Sequence, residues 1–218
     1  MTRVKVCGIT RSADLQTAVD AGADAIGIIT DVPVDTPRDV SPERAADLVA
    51  ETPPFVTSVL VTMPSDYARA IELATEIEPD AIQLHGEIRP GDLAYLRAKL
   101  ESRILLAVDA EDVSVAKQYD DMVDGFVVDS IGDDGAGGTG RTHDWERTRA
   151  ETADLESAVI LAGGLTPDNV VEAIQTAEPF AVDVASGVEE RGGIKDPAAV
   201  ESFVSRATGN AQAVEPGP

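Results

Sequence analysis

Along this chain, short runs of apolar, mostly β-branched residues alternate with stretches whose apolar positions recur at helical spacing. The pattern predicts strands over Arg3–Cys7, Ala25–Ile29, Phe55–Val61, Ala81–Leu84, Ile104–Val108, Gly125–Val128, Val159–Leu161 and Ala181–Val184. Between them, Ala13, Thr17, Val19 and Ala23 mark one helical segment, and Tyr67, Ala70, Ile71 and Ala74 another. Ser41-Pro42-Glu43, Thr166-Pro167-Asp168 and Asp196-Pro197 each read as an N-cap followed by Pro at the first helical position. Strict strand–helix alternation implies a parallel sheet. Eight such units predict an α/β fold, a single-domain closed (β/α)8 TIM barrel over residues 1–207, near the lower size limit of that architecture. An open doubly wound sheet is the alternative, with its site in the crevice where strand order reverses. Residues 208–218 are small and polar and end in proline, the composition of a disordered tail. Gly132–Gly140 is too long and glycine-rich for a plain turn, and reads as a mobile active-site loop or a spacer.

The same periodicity sorts the chemistry. Period two puts Lys5 and Cys7 on one face of the first strand and Val4 and Val6 on the other. The valines suit the helix-facing side, which turns Lys5 and Cys7 inward. By the same reasoning Val127 and Asp129 point inward, and His85, just past Gln83-Leu84, shares a rim with Asp183. Reactive groups of such barrels sit at the C-terminal ends of strands. Cys7 is therefore a candidate acid, base or nucleophile; the other use of a lone cysteine is as a small buried hydrophobe. The rim groups either form a site or satisfy one another in the core. Leu161-Ala162-Gly163-Gly164-Leu165 and Asp183-Val184-Ala185-Ser186-Gly187-Val188 end the last two strands. Loops there commonly hold a phosphate on backbone N–H groups.

Composition narrows the partners. With 218 residues, 43% hydrophobic, the chain can bury one sizeable core. Seventeen Lys and Arg against forty Asp and Glu give a net charge of -23, a field that repels nucleic acid and anionic membranes. No apolar run reaches the roughly 18 residues of a transmembrane helix, and the N-terminus enters a strand without a signal-peptide pattern. One cysteine allows no internal disulfide and fits a reducing cytosol, so a cytoplasmic protein is expected. Only Lys5, Lys99, Lys117 and Lys195 are lysines, while acids such as Glu72, Glu76, Glu78 and Asp80 crowd predicted helix faces. That imbalance points to a salt-adapted protein, because molar salt shortens the screening length to about 3 Å.

Taken together, Lys5-Val6-Cys7-Gly8-Ile9-Thr10, Gln83-Leu84-His85-Gly86-Glu87, Val128-Asp129-Ser130, Gly137-Gly138-Thr139-Gly140, the two glycine turns above with Glu189, and Gly193-Ile194-Lys195-Asp196 resemble the phosphoribosylanthranilate isomerase family of tryptophan biosynthesis. The resemblance runs in the family's order from residue 3 to 206. It implies an Amadori rearrangement of N-(5-phosphoribosyl)anthranilate to 1-(2-carboxyphenylamino)-1-deoxyribulose 5-phosphate, the third step from chorismate, without metal or organic cofactor. It assigns Cys7 as general base and Asp129 as general acid. Arg38 matches the carboxylate-binding arginine. Gly163, Gly164, Ser186 and Gly187, with Gly138, Thr139 and Gly140, match the phosphate loops. Gln83, His85 and Asp183 complete the substrate-binding set, although His85 has a purely structural rim role as its alternative. Monomer and homodimer are both open.

Lys5 has two readings: it favours the Cys7 thiolate, or it pairs with Asp183. Burial and a nearby thiolate would raise the Asp129 pKa. The chain departs from the family in lacking an aromatic residue over positions 28–35, and in carrying Arg141 and His143 before Asp144-Trp145. Three rivals remain. A dual isomerase of histidine and tryptophan synthesis uses an aspartate where Cys7 stands. An indole-glycerol-phosphate synthase type barrel wants a lysine acid and an N-terminal extension. A catalytically dead barrel acting as scaffold would have no need of Cys7, Arg38 and Asp129 together.

Overall fold

The structure is a computed structural model that describes residues 1–130 and 142–209. Eight parallel strands close into a barrel in chain order: β1 (Arg3–Cys7), β2 (Ala25–Ile29), β3 (Thr57–Thr62), β4 (Ala81–Leu84), β5 (Arg103–Asp109), β6 (Gly125–Asp129), β7 (Ala158–Leu161) and β8 (Ala181–Val184). Pairing of β1 with β8, Lys5 opposite Asp183, closes the ring and removes the open-sheet alternative. Helices α1 (Ser12–Asp20), α2 (Pro42–Glu51), α3 (Tyr67–Ile77), α4 (Pro90–Lys99), α5 (Trp145–Thr152), α6 (Val170–Ala177) and α7 (Pro197–Thr208) form the outer layer. After β8 a short antiparallel hairpin is inserted, β9 (Glu189–Arg191) and β10 (Ile194–Lys195).

Alternation along the strands divides the apolar residues into two layers. Val4, Val6, Ile26, Ile28, Leu60, Ile82, Phe126, Val128 and Val182 face the helices in the main core. Cys7, Val59, Val61, Ala81 and, across the barrel, Val127, Ile160 and Ala181 fill the interior. At the N-terminal face an aspartate precedes each of β2, β4 and β6 and accepts a backbone N–H from the strand before it. Asp24 takes Val4 at 2.9 Å, Asp80 takes Ser58 at 2.8 Å and Asp124 takes Ile104 at 2.8 Å. This repeated bond pins the register that sets which residues reach the opposite rim.

Several boundaries differ from the sequence reading. The third strand starts at Thr57, because Phe55 is fully exposed with φ of 73°, a conformation no strand accommodates. The fifth crossover is a 3-10 turn, Val113–Gln118, whose buried Val113 and Ala116 are three apart. Helix α1 buries Asp14, Leu15 and Ala18, while Ala13 is exposed. Thr166-Pro167-Asp168 does not cap α6. The Asn169 side chain accepts from Thr166 N–H at 2.8 Å and donates to Gly164 O at 3.0 Å, holding a separate turn before the helix. The other two caps hold: Ser41 accepts from Arg44 N–H, and Asp196 from Ala198 and Ala199 N–H.

Candidate active site

One pocket opens at the C-terminal ends of the strands. Cys7, Gln83, His85, Asp129, Asp183 and Arg38 all line it. Ile29, Val32, Val34, Val61 and Met63 supply an apolar wall, and Gly163, Gly164, Ala185 and Ser186 lie across from it. Its empty space, mouth included, is about 870 Å³, the scale of a small-molecule site.

The inward face of β1 behaves as the alternation implied. Lys5 Nζ donates to Asp183 Oδ2 at 2.8 Å, with both side chains buried. Burial works against the Lys5 ammonium, but Asp183 and then Cys7 outweigh it and hold its pKa at about 12. Burial is also the largest influence on Cys7 and pushes the thiol up; Lys5 pulls it down, Asp183 pushes it up, and the net pKa is raised. Lys5 therefore does both things the sequence left open, yet its pull does not offset the burial. Gly27, beside Cys7 in register, makes the thiol's room: a Cβ there would lie 2.6 Å from Cys7 Sγ and 3.1 Å from Lys5 Nζ.

Beyond this pair, burial and then Lys5 lower the His85 pKa to about 4, so the ring is neutral at pH 7. Gln83 Nε2 lies 2.9 Å from His85 Nε2. Gln83 Oε1 and Asp183 Oδ1 are buried without a partner among the described residues and line the ligand space. His143 Nδ1 lies 3.2 Å from Ser130 Oγ, and burial lowers its pKa against the pull of Glu111, Asp109 and Asp144.

Arg38 reaches the pocket but is not a free surface arginine. Its guanidinium is forked onto Glu189, Nε to Oε1 at 2.9 Å and Nη2 to Oε2 at 2.7 Å. Lys195 Nζ donates to the same Glu189 at 3.0 Å. Burial pushes the Glu189 carboxyl up, but Arg38 and Lys195 outweigh it and hold the pKa below the usual range. Gly163 and Gly164 turn with φ of 83° and 63°, and Ser186–Val188 forms one 3-10 turn, leaving backbone rather than cationic side chains around that end of the pocket. Gly138, Thr139 and Gly140, with the rest of Gly132–Gly140, lie outside the described residues, as does the tail from residue 210. No cluster of three or more His, Cys, Asp or Glu arranged to hold a metal occurs among the described residues.

Sequence reasoning missed Gly27 and the wall of Val32, Val34 and Met63, and named Glu189 and Lys195 within motifs without giving either a role. The wall had one legible signal: apolar residues at alternate positions in an otherwise polar loop after β2.

A closed barrel with thiol, carboxylate, imidazole and guanidinium groups around one C-terminal pocket belongs to the class of (β/α)8-barrel enzymes. The family model for N-(5'phosphoribosyl)anthranilate (PRA) isomerase matches residues 4–206. An N-(5'-phosphoribosyl)anthranilate isomerase of the halophilic archaeon Halorubrum lacusprofundi is 58% identical over 207 residues, 95% of this chain and 97% of the relative. A crystal structure of phosphoribosyl anthranilate isomerase in complex with reduced 1-(o-carboxyphenylamino)-1-deoxyribulose 5-phosphate is 33% identical. It superposes with a TM-score of 0.82 over 96% of this chain and all of that one. A crystal structure described as mutually generated monomers of the dimeric Thermotoga maritima phosphoribosylanthranilate isomerase is 32% identical with a TM-score of 0.83, over 96% and 100% of the two chains. This chain belongs to the phosphoribosylanthranilate isomerase family. It is an isomerase of tryptophan biosynthesis, and its relatives support a salt-adapted source. Among the described residues no helix is long and apolar enough to cross a membrane.

Proposed function

We propose that Cys7 and Asp129 are the general base and general acid of the Amadori rearrangement of N-(5-phosphoribosyl)anthranilate. The observation that carries this reading is that one pocket is lined by both, from strands β1 and β6 on different sides of the barrel. Asp129 gives its proton to the furanose ring oxygen, and the ring opens to a Schiff base. Cys7 thiolate removes the C2′ proton to leave an enolamine, which tautomerises to the ketone. Each such transfer contributes about 10² to 10⁴ in rate. The substrate's anthranilate ring lies against Ile29, Val32, Val34 and Met63, an aliphatic wall in place of an aromatic one. Its carboxylate meets Arg38. Its phosphate sits on the backbone of Gly163-Gly164 and Ser186-Gly187, with Gly138-Thr139-Gly140 contributing. Gln83, His85 and Asp183 present polar atoms to the sugar. The enzyme acts in the cytoplasm as a monomer or homodimer on this small phosphorylated substrate, without cofactor, nucleic acid or membrane. The catalytic domain comprises residues 1–207, and its last helix runs one residue further, to Thr208.

The acid–base pair works with one proton between its two members. Because the buried thiol holds its proton tightly, the productive thiolate–carboxylic acid form is reached by moving that proton, not by losing it. The pair is emptied only above the raised Cys7 pKa. In molar KCl, kcat/KM is therefore expected to stay level to about pH 8.5, the ordinary thiol value, and to fall only beyond it. A descending limb centred below about pH 8 contradicts the assignment.

A further inference from the structure

We propose that Glu189 is a positioning residue that aims Arg38 at the substrate's carboxylate, with Lys195 keeping the cluster cationic. The inference rests on reading Arg38 as the carboxylate-binding group. A guanidinium offers five N–H donors in a rigid plane. Glu189 occupies the Nε–Nη2 edge, both bonds short and the Glu189 side chain 4% exposed. The Nη1–Nη2 edge remains, and it fits a second planar carboxylate in the same forked manner. Arg38 is thus built to bridge two carboxylates, one fixed in the protein and one arriving with the ligand.

A lone Glu189 would neutralise Arg38 and leave an anionic ligand little to gain. Lys195, its side chain fully buried, answers this. Its Nζ donates to Glu189 Oε1 and to Ala185 O, each at 3.0 Å, and it stands opposite Glu189 in the hairpin register. The three groups carry one net positive charge inside a chain whose total is -23.

The hairpin also grips the loop that carries Arg38. Thr10 Oγ1 donates to Gly193 O at 2.7 Å, and Gly193, with φ of 76°, lies against Pro37 O where no side chain fits. On the other side a Cβ on Gly8 would lie 2.7 Å from Arg38 Cδ, so the turn after Cys7 is shaped around the arginine stem. Stem, fork and loop are all fixed, which removes the rotamer entropy a long side chain otherwise loses on binding.

The test compares two ligands in molar KCl: reduced 1-(o-carboxyphenylamino)-1-deoxyribulose 5-phosphate and its counterpart without the carboxyl group. Glu189→Gln is expected to weaken the first by about tenfold or more while moving the second less than about twofold. In turnover it is expected to raise KM with kcat nearly unchanged. Combined with Arg38→Ala it is expected to add almost nothing to the loss from Arg38→Ala alone. Equal weakening of both ligands, or full additivity with Arg38→Ala, overturns the positioning role. If Arg38→Ala itself fails to separate the two ligands, the reading of Arg38 falls first and this inference with it. Glu189→Asp, which keeps the charge but falls a methylene short, repeats the test if the glutamine variant does not fold.

Discussion

At the scale of single residues, charge pairing prevails over burial at Lys5 and Glu189, and burial prevails over charge at Cys7 and His85. Cys7 lies beside an ammonium and still has a raised pKa, because the barrel interior penalises the thiolate more than Lys5 and Lys195 favour it. His85 shows the same balance in a base. Burial lowers its pKa from the ordinary 6.5 to about 4, so the folded protein holds it neutral while the unfolded chain protonates it. Stability from this group is fully present above pH 6.5 and is lost as pH falls towards 4. The shift corresponds to up to about 3 kcal/mol. His85→Gln is expected to flatten that part of the acid unfolding curve, measured as Tm against pH in constant molar KCl. A curve of unchanged slope between pH 6.5 and 4 contradicts the account.

At the scale of elements, the strands were legible and their connections less so. Strands of a closed barrel are buried on both faces, so β1, β2, β4 and β8 stand out as bounded apolar runs and match their expected limits. Their alternation alone carried Lys5, Cys7, Asp129 and Asp183 to one rim. The start of α6 was not legible, since Asn169 rather than proline sets it through two side-chain bonds. The fifth crossover resisted for a different reason: one 3-10 turn buries two residues and has too short a period to read. The hairpin β9–β10 was missed because its three- and two-residue strands carry no periodic signal. Its contribution lies in pairings such as Glu189 with Arg38, 151 residues apart. Gly27 belongs to the same group: in sequence it is one glycine in a strand, and only register places it against Cys7.

At the scale of the whole molecule, charge was the plainest signal. Forty acids against seventeen basic residues leave a self-repulsion that ordinary ionic strength screens over about 8 Å and molar salt over about 3 Å. Some acids have structural duties, such as the strand-pinning Asp24, Asp80 and Asp124, but Glu72 and Glu76 lie exposed on α3 and Glu78 is exposed just past its end. The expected outcome is a Tm that rises steadily from 0.1 M to about 2 M KCl, with loss of helical circular dichroism on dilution into low salt. Full folding at low salt contradicts salt adaptation. The proposed recognition of the substrate's anionic groups by backbone amides and one compensated arginine is consistent with such a surface, because it needs few cations.

Cys7 is the proposed base of a site that moves two protons on a phosphorylated anthranilate sugar. The most direct measurement is turnover of phosphoribosylanthranilate, generated in situ and followed by loss of fluorescence in molar KCl, for wild type and Cys7→Ser shown to be equally folded. The account predicts ready wild-type turnover and a fall of at least about a hundredfold in kcat for the variant. Comparable turnover by the two proteins would contradict it.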